Sequence, residues 1–189
     1  MKRLSCLSLG AFALSGLFLA ARPVFAREMA GVTLPDALSA GDKTLKLNGL
    51  GLRKKAIFKV YVGGLYLETP SKDAAAILAS DSAKAVRMTF LRDVSKNQLK
   101  DAFAEGFENN AKEKAAAQKA AIDKLYGLLP DMKENHTLSL TYVPGKGTSV
   151  MHDDKVLGVI EGKDFAEALF ALWLGPKPPS EDLKKGMLG

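Results

Sequence analysis

Thr137-Leu-Ser-Leu-Thr-Tyr-Val143, Thr148-Ser-Val-Met-His152 and Lys155-Val-Leu-Gly-Val-Ile160 read as three consecutive strands, separated by Pro144-Gly-Lys-Gly147 and by Asp153-Asp154. Runs rich in β-branched and aromatic residues, joined by short Gly- or Asp-bearing turns, signal an antiparallel meander. Downstream, Phe165, Ala168, Leu169, Leu172 and Trp173 fall at helical spacing on one stripe, and Gly175-Pro176 stops that helix. Ser180 is placed to cap a short terminal helix ending at Gly186. Upstream, the Ala/Lys-rich stretch 111–129 predicts one helix that buries Ala115, Ile122, Leu125 and Leu129 and is ended by Pro130. Before it, Ser95-Lys-Asn-Gln98 is a capping box, followed by Leu99, Ala102, Phe103, Gly106 and Phe107 on one apolar face.

Further out the pattern returns to strands. Residues 86–92 alternate, with Val86, Met88 and Phe90 opposed to Arg87 and Thr89. Asp73–Ala79 suits a short helix. Lys54–Glu68 is a long strand in which period-two counting groups Phe58, Val60 and Val62 against Ile57, Lys59 and Tyr61. Gly63-Gly64 in its middle suggests a bulge or a close approach by another segment. Thr44–Leu47 alternates, and Asn48-Gly-Leu-Gly51 reads as a turn. Helices clustered between groups of strands, without regular βαβ alternation, predict an α+β fold: one curved antiparallel sheet with a layer of helices on one face. The space between sheet and helices is then core, pocket or both.

The chain has 189 residues, with 27 Lys+Arg against 21 Asp+Glu. Residues 1–26 read as an export signal: a basic start at Lys2-Arg3, an apolar run from Leu4 to Ala21, and Val24-Phe25-Ala26 supplying small residues at the cleavage site. The expectation is a protein secreted across the inner membrane into the periplasm, with no stable membrane anchor after cleavage and one domain over 27–189. Removing the signal takes away Lys2, Arg3 and Arg22 and lowers the formal net charge from +6 to +3. It also takes away Cys6, the single cysteine, which excludes thiol nucleophiles, disulfides and thiolate metal sites from the mature chain. Mixed charges summing to +3 do not form a nucleic-acid footprint.

Signatures of nucleophile elbows, zincins, phosphate loops and dinucleotide folds are absent, so no cofactor is expected. His136 and His152 stand at the start of one strand and near the end of the next, and His152-Asp153-Asp154 reads as a solvated hairpin tip with no metal-ligand role. What remains is Gly51-Leu-Arg53 leading into the strand that carries Lys59 and Tyr61. Arg53 offers a fixed, permanently charged fork of donors and Tyr61 one hydroxyl, which together suit a carboxylate or phenolate in an apolar pocket. The same residues also fit a surface arginine at a turn and a half-buried strand tyrosine.

Leu47-Asn-Gly-Leu-Gly-Leu-Arg53 with Phe58-Lys-Val-Tyr-Val-Gly-Gly-Leu-Tyr-Leu-Glu68 resembles the opening of the chalcone isomerase-like family. Met88-Thr-Phe-Leu-Arg-Asp-Val-Ser95, the helix reaching Phe107-Glu-Asn-Asn110, Tyr142-Val-Pro-Gly-Lys-Gly-Thr148 and Ile160-Glu-Gly-Lys-Asp-Phe-Ala-Glu-Ala-Leu169 with Trp173-Leu-Gly175 resemble its middle and end. The resemblance spans about residues 32–189 and is nearest to the secreted bacterial branch. It implies an open-faced β-sandwich with a ligand cleft beneath the helices. It also implies two activities: flavanone-forming isomerases and fatty-acid binders without catalysis, both using the arginine that matches Arg53. The isomerases carry Thr in the strand where this chain has Lys59-Val-Tyr61, and the binders carry Tyr. On the following helix the isomerases place Tyr and Asn where this chain has Leu99 and Gly106.

The reading is therefore a binder of a fatty acid or similar apolar carboxylate, held by Arg53, Tyr61 and Lys59. In an apolar tunnel each buried CH₂ contributes about 0.8 kcal/mol, so a long acyl chain gains on the order of 10 kcal/mol before ordering costs. Two alternatives stand beside it: an isomerase acting on an enone or polyphenol, with Arg53 and Tyr61 as its catalytic pair, and an envelope interaction module whose cleft is filled by its own side chains.

Overall fold

The computed structural model describes residues 26–189. The expected export signal lies outside the described residues except for Ala26. Strands β1 (Ala26–Met29) and β2 (Val32–Pro35) form a hairpin, and β3 (Ala37–Ala40), β4 (Lys43–Lys55) and β5 (Phe58–Leu67) begin the main sheet. A short helix α1 (Ala74–Ala79), N-capped by Asp73, leads to β6 (Lys84–Phe90). Helices α2 (Lys96–Asn110), α3 (Lys112–Ala117) and α4 (Lys119–Leu128) precede β7 (Thr137–Val143), β8 (Gly147–His152) and β9 (Lys155–Ile160). Helices α5 (Lys163–Leu174) and α6 (Glu181–Leu188) complete the fold. β3 to β9 make one seven-stranded antiparallel sheet in chain order. The expected helix-covered sheet is the one found. Among the described residues, no helix is long and apolar enough to cross a membrane.

Two cores sandwich the sheet. On the helix side, Leu65, Val86, Met88, Phe90, Leu138 and Leu140 meet Phe103, Phe165, Leu169 and Trp173. On the other side, the β1–β2 hairpin lays Val32 and Leu34 against Leu45, Leu47, Val62 and Tyr66, a cover that the sequence reading did not anticipate. The capping box at Ser95 forms as expected: Gln98 N donates to Ser95 Oγ (3.2 Å) and Ser95 N donates to Gln98 Oε1 (2.9 Å).

Three expectations are corrected. Asn48–Gly51 is no turn: β4 runs straight through it, and the chain reverses at Ala56-Ile57. The register skips Asn48, with Leu47 opposite Tyr66 and Gly49 opposite Leu65, which is a β-bulge. That extra residue puts Leu45, Leu47, Leu50 and Leu52 toward the hairpin core and turns Gly49, Gly51 and Arg53 to the helix side. The bulged Asn48 is fully used. Its Nδ2 donates to Ser71 O and Met187 O (both 2.9 Å), and its Oδ1 accepts from Ser71 N (2.8 Å). The glycines beside it admit α6: a Cβ on Gly49 would lie 2.2 Å from Gly186 O, and one on Gly51 would lie 2.6 Å from Leu183 O. The stretch 111–129 is not one helix; it breaks at Gln118 because α3 packs on α5 while α4 packs on β9. The terminal helix runs past Gly186 to Leu188.

Lys84 is 3% exposed, and its ammonium closes the C-terminal end of α1 by donating to Ile77 O (2.5 Å), Ser80 O (2.8 Å) and Ser80 Oγ (3.2 Å). Burial lowers its pKa from 10.5 to about 8, partly opposed by Glu167 and Asp81. Between those values the unfolded chain holds the more protons, so stability rises with pH through that window and is flat below it. Tyr61 and Tyr142 act oppositely above pH 10, since burial raises both to about 12 in the fold. Urea unfolding is expected to show stability climbing by about 1–2 kcal/mol from pH 8 to pH 9.5. A Lys84→Met variant that keeps the same climb would contradict this.

Candidate functional site

Beneath α2 and α5, the ends of β4, β5 and β6 border an open-mouthed cavity of about 470 Å³, within the range of small-molecule sites. Its wall is apolar: Met88, Phe90, Leu99, Phe103, Leu172 and Trp173. Its rim is charged, with Lys55, Arg92 and Lys177 against Asp93, Asp101 and Glu105, and Pro178-Pro179 crosses one side. The Arg92 guanidinium stacks on Phe58, 4.7 Å from the ring centroid.

Arg53 and Tyr61 both line this cavity. They are directly paired across β4 and β5, which places both side chains on the helix face. Lys59 does not join them; it is exposed and outside the lining. The cause is a second bulge. The register passes from Arg53–Tyr61 to Lys54–Lys59 and leaves Val60 as the extra residue, so strict alternation fails there. Phe58, Val60 and Tyr61 all reach the cavity, while Val62 belongs to the opposite core. Gly63 and Gly64 pair in regular register, so the close approach foreseen there holds without a bulge: added Cβ atoms would meet Leu183 Cδ1 at 3.3 Å and Leu34 Cδ1 at 2.8 Å.

The Tyr61 hydroxyl is oriented by a residue that the sequence reading treated only as packing. Trp173 Nε1 donates to Tyr61 Oη at 3.0 Å, deep in the core. The hydroxyl thereby accepts from the indole and keeps its own hydrogen to give. Among the described residues, no acceptor takes it. Burial raises the Tyr61 pKa to about 12, against the pull of the Trp173 hydrogen bond and the nearby Arg53 charge, so the group remains a neutral donor at ordinary pH. The signal for Trp173 was its place on a buried stripe, since a buried indole N–H finds a partner.

Arg53 is half-buried, and one of its N–H groups donates to Lys54 O. Among the described residues, no carboxylate pairs with it. At the two helix positions the resemblance singled out, Leu99 gives the cavity an apolar side chain. Gly106 is bare because Leu172 occupies its place: a Cβ there would lie 2.6 Å from Leu172 Cγ. Gln98 and Asn109, which the sequence reading passed over, bring amides to the lining.

A curled antiparallel sheet, a layer of helices and an arginine-and-tyrosine-lined hollow between them make an open-sandwich fold. The chain belongs to the chalcone isomerase-like family, whose profile matches residues 26–189. Its fold is similar to that of a fatty-acid-binding protein of Arabidopsis thaliana known from a crystal structure. The TM-score is 0.72 at 19% identity, over 87% of this chain and 96% of that one. A search of curated protein sequences found no match.

Proposed function

We propose that this protein binds a fatty acid or a similar apolar carboxylate, without catalysing its conversion, after export to the periplasm. The carboxylate sits between the Arg53 guanidinium and the Tyr61 hydroxyl, and the acyl chain lies along Phe90, Leu99 and Phe103. The observation that carries the reading is that the remaining Arg53 N–H donors and the free Tyr61 O–H line the same cavity, whose wall is apolar and whose rim is charged. Family membership and the likeness in fold to a fatty-acid-binding protein support it. Charge-assisted hydrogen bonds contribute about 1.5–3 kcal/mol and neutral ones about half that.

Extraction of protein purified from its own compartment, followed by mass spectrometry, is expected to yield a co-purifying acid, and the amino terminus is expected at Arg27. Titration with a fluorescent fatty acid is expected to show affinity falling roughly 10- to 100-fold in Arg53→Ala and less than about 10-fold in Tyr61→Phe. Equal binding by Arg53→Ala and wild type would reject the headgroup assignment. The amides of Gln98 and Asn109 in the lining favour a second reading, an isomerase acting on an enone. Chalcone turnover above the buffer rate would establish that reading in place of the first.

A further inference from the structure

We propose that His136, His152 and Asp153 bind one divalent transition-metal ion of the zinc or copper type, outside the ligand cavity. His152 ends β8 and His136 stands in the connection one residue before β7, and the sequence does not show that they meet. They do: His136 Nδ1 is 3.1 Å from His152 Nε2, 2.9 Å from Asp153 Oδ2, and the third edge, His152 Nε2 to Asp153 Oδ2, is 3.6 Å. Ligands about 2.0–2.1 Å from a tetrahedral metal stand about 3.3 Å apart, so the three atoms approximate one face of a tetrahedron.

Two of the three donors, His136 and Asp153, are held by backbone hydrogen bonds to neighbouring segments. The peptide of His136 is pinned to β6, since Phe90 N donates to His136 O (2.9 Å) and Asn135 N donates to Phe90 O (2.8 Å). Asp153 opens the two-residue turn between β8 and β9 in the left-handed region, at φ 52°. Its N donates to Thr137 O (2.7 Å), and its Oδ1 accepts from Thr137 N (2.8 Å). That second bond fixes the carboxylate and leaves Oδ2 toward the imidazoles, the kind of outer support that orients metal ligands. Three lone-pair-bearing atoms this close together need a cation or a shared proton among them. A single imidazole N–H on His136 or His152 is the alternative to a metal.

Two imidazole nitrogens and one carboxylate oxygen suit zinc or copper rather than magnesium or calcium, which take oxygen ligands. The three side chains are 43%, 25% and 46% exposed, so water can complete the fourth position. A bound ion would clip the β8–β9 turn to the connection before β7, beside the end of β6 that supplies Phe90 to the cavity wall.

The chain contains two histidines, so in untagged protein the imidazole NMR signals report on this site alone. Titration of chelator-treated protein with zinc chloride is expected to shift both rings with one-to-one stoichiometry, whereas magnesium and calcium chloride leave them in place. Asp153→Asn suits the left-handed backbone and can still accept from Thr137 N. It is expected to weaken zinc binding about tenfold or more, as is His152→Gln, with unchanged circular dichroism. Rings unmoved by a tenfold excess of zinc, or binding that both variants leave intact, would overturn the proposal. Cavity-ligand affinity is read separately, so failure here leaves the fatty-acid reading standing.

Discussion

Gly49→Ala is expected to destabilise the protein by roughly 3–6 kcal/mol, although it adds a single methyl group. The added Cβ would stand 2.2 Å from Gly186 O and 2.8 Å from Met187 O, both backbone atoms of α6 that no rotamer change can move aside. α6 must lift from β4, and with it go Leu183 and Met187, both fully buried, each contributing about 1.5–3 kcal/mol when packed. Gly127→Ala is the matching control. Nothing lies within 4 Å of its added Cβ, and the residue sits inside α4. It is expected to stabilise by about 0.4–1 kcal/mol. Urea unfolding of the two variants distinguishes a contact effect from a general glycine effect, and a Gly49→Ala loss below about 1 kcal/mol would mean that α6 is not seated as described.

Trp173→Ala carries the second large effect, about 3–5 kcal/mol. The indole is 2% exposed, meets Phe103 edge-on at a centroid distance of 5.8 Å and donates to Tyr61. Trp173→Phe separates these roles. It keeps a ring against Phe103 and removes only the donor, at a cost of about 1–2 kcal/mol. Fatty-acid binding is expected to weaken in Trp173→Phe through the loosened Tyr61 hydroxyl, although residue 173 makes no polar contact with the proposed carboxylate. Binding by Trp173→Phe equal to wild type would show that Tyr61 needs no such anchor.

The parts of the fold that could be read from the residues are those where local chemistry and tertiary packing agree. The three strands of 137–160 carry their own turn residues, and α2 carries its own capping box, so both appear as expected. Most of the misreadings come from contacts with segments distant in sequence. Gly49 and Gly51 look like turn glycines but are bare for the backbone of α6, more than 130 positions away in sequence. Gly106 lines the cavity, and the reason it carries no side chain, the neighbouring Leu172, was not legible in the sequence. The break at Gln118 lies in a run of Lys and Ala with no helix breaker, and what divides it is packing on two different partners. In the site, Arg53 and Tyr61 were accessible through motif and chemistry. Lys59 was misplaced because counting by twos assumes an unbroken ladder, and Val60 breaks it.

The extra residue at Asn48 gives β4 something like a reading frame. Excise it, and every side chain from residue 49 to residue 53 would swap sides: the guanidinium would emerge under the amino-terminal hairpin, and Leu52 would intrude into the cavity where the proposed carboxylate would dock. A one-residue deletion would thus spare the strand and remove Arg53 from the cavity, so length at this point matters to the proposed site as much as the identity of any side chain.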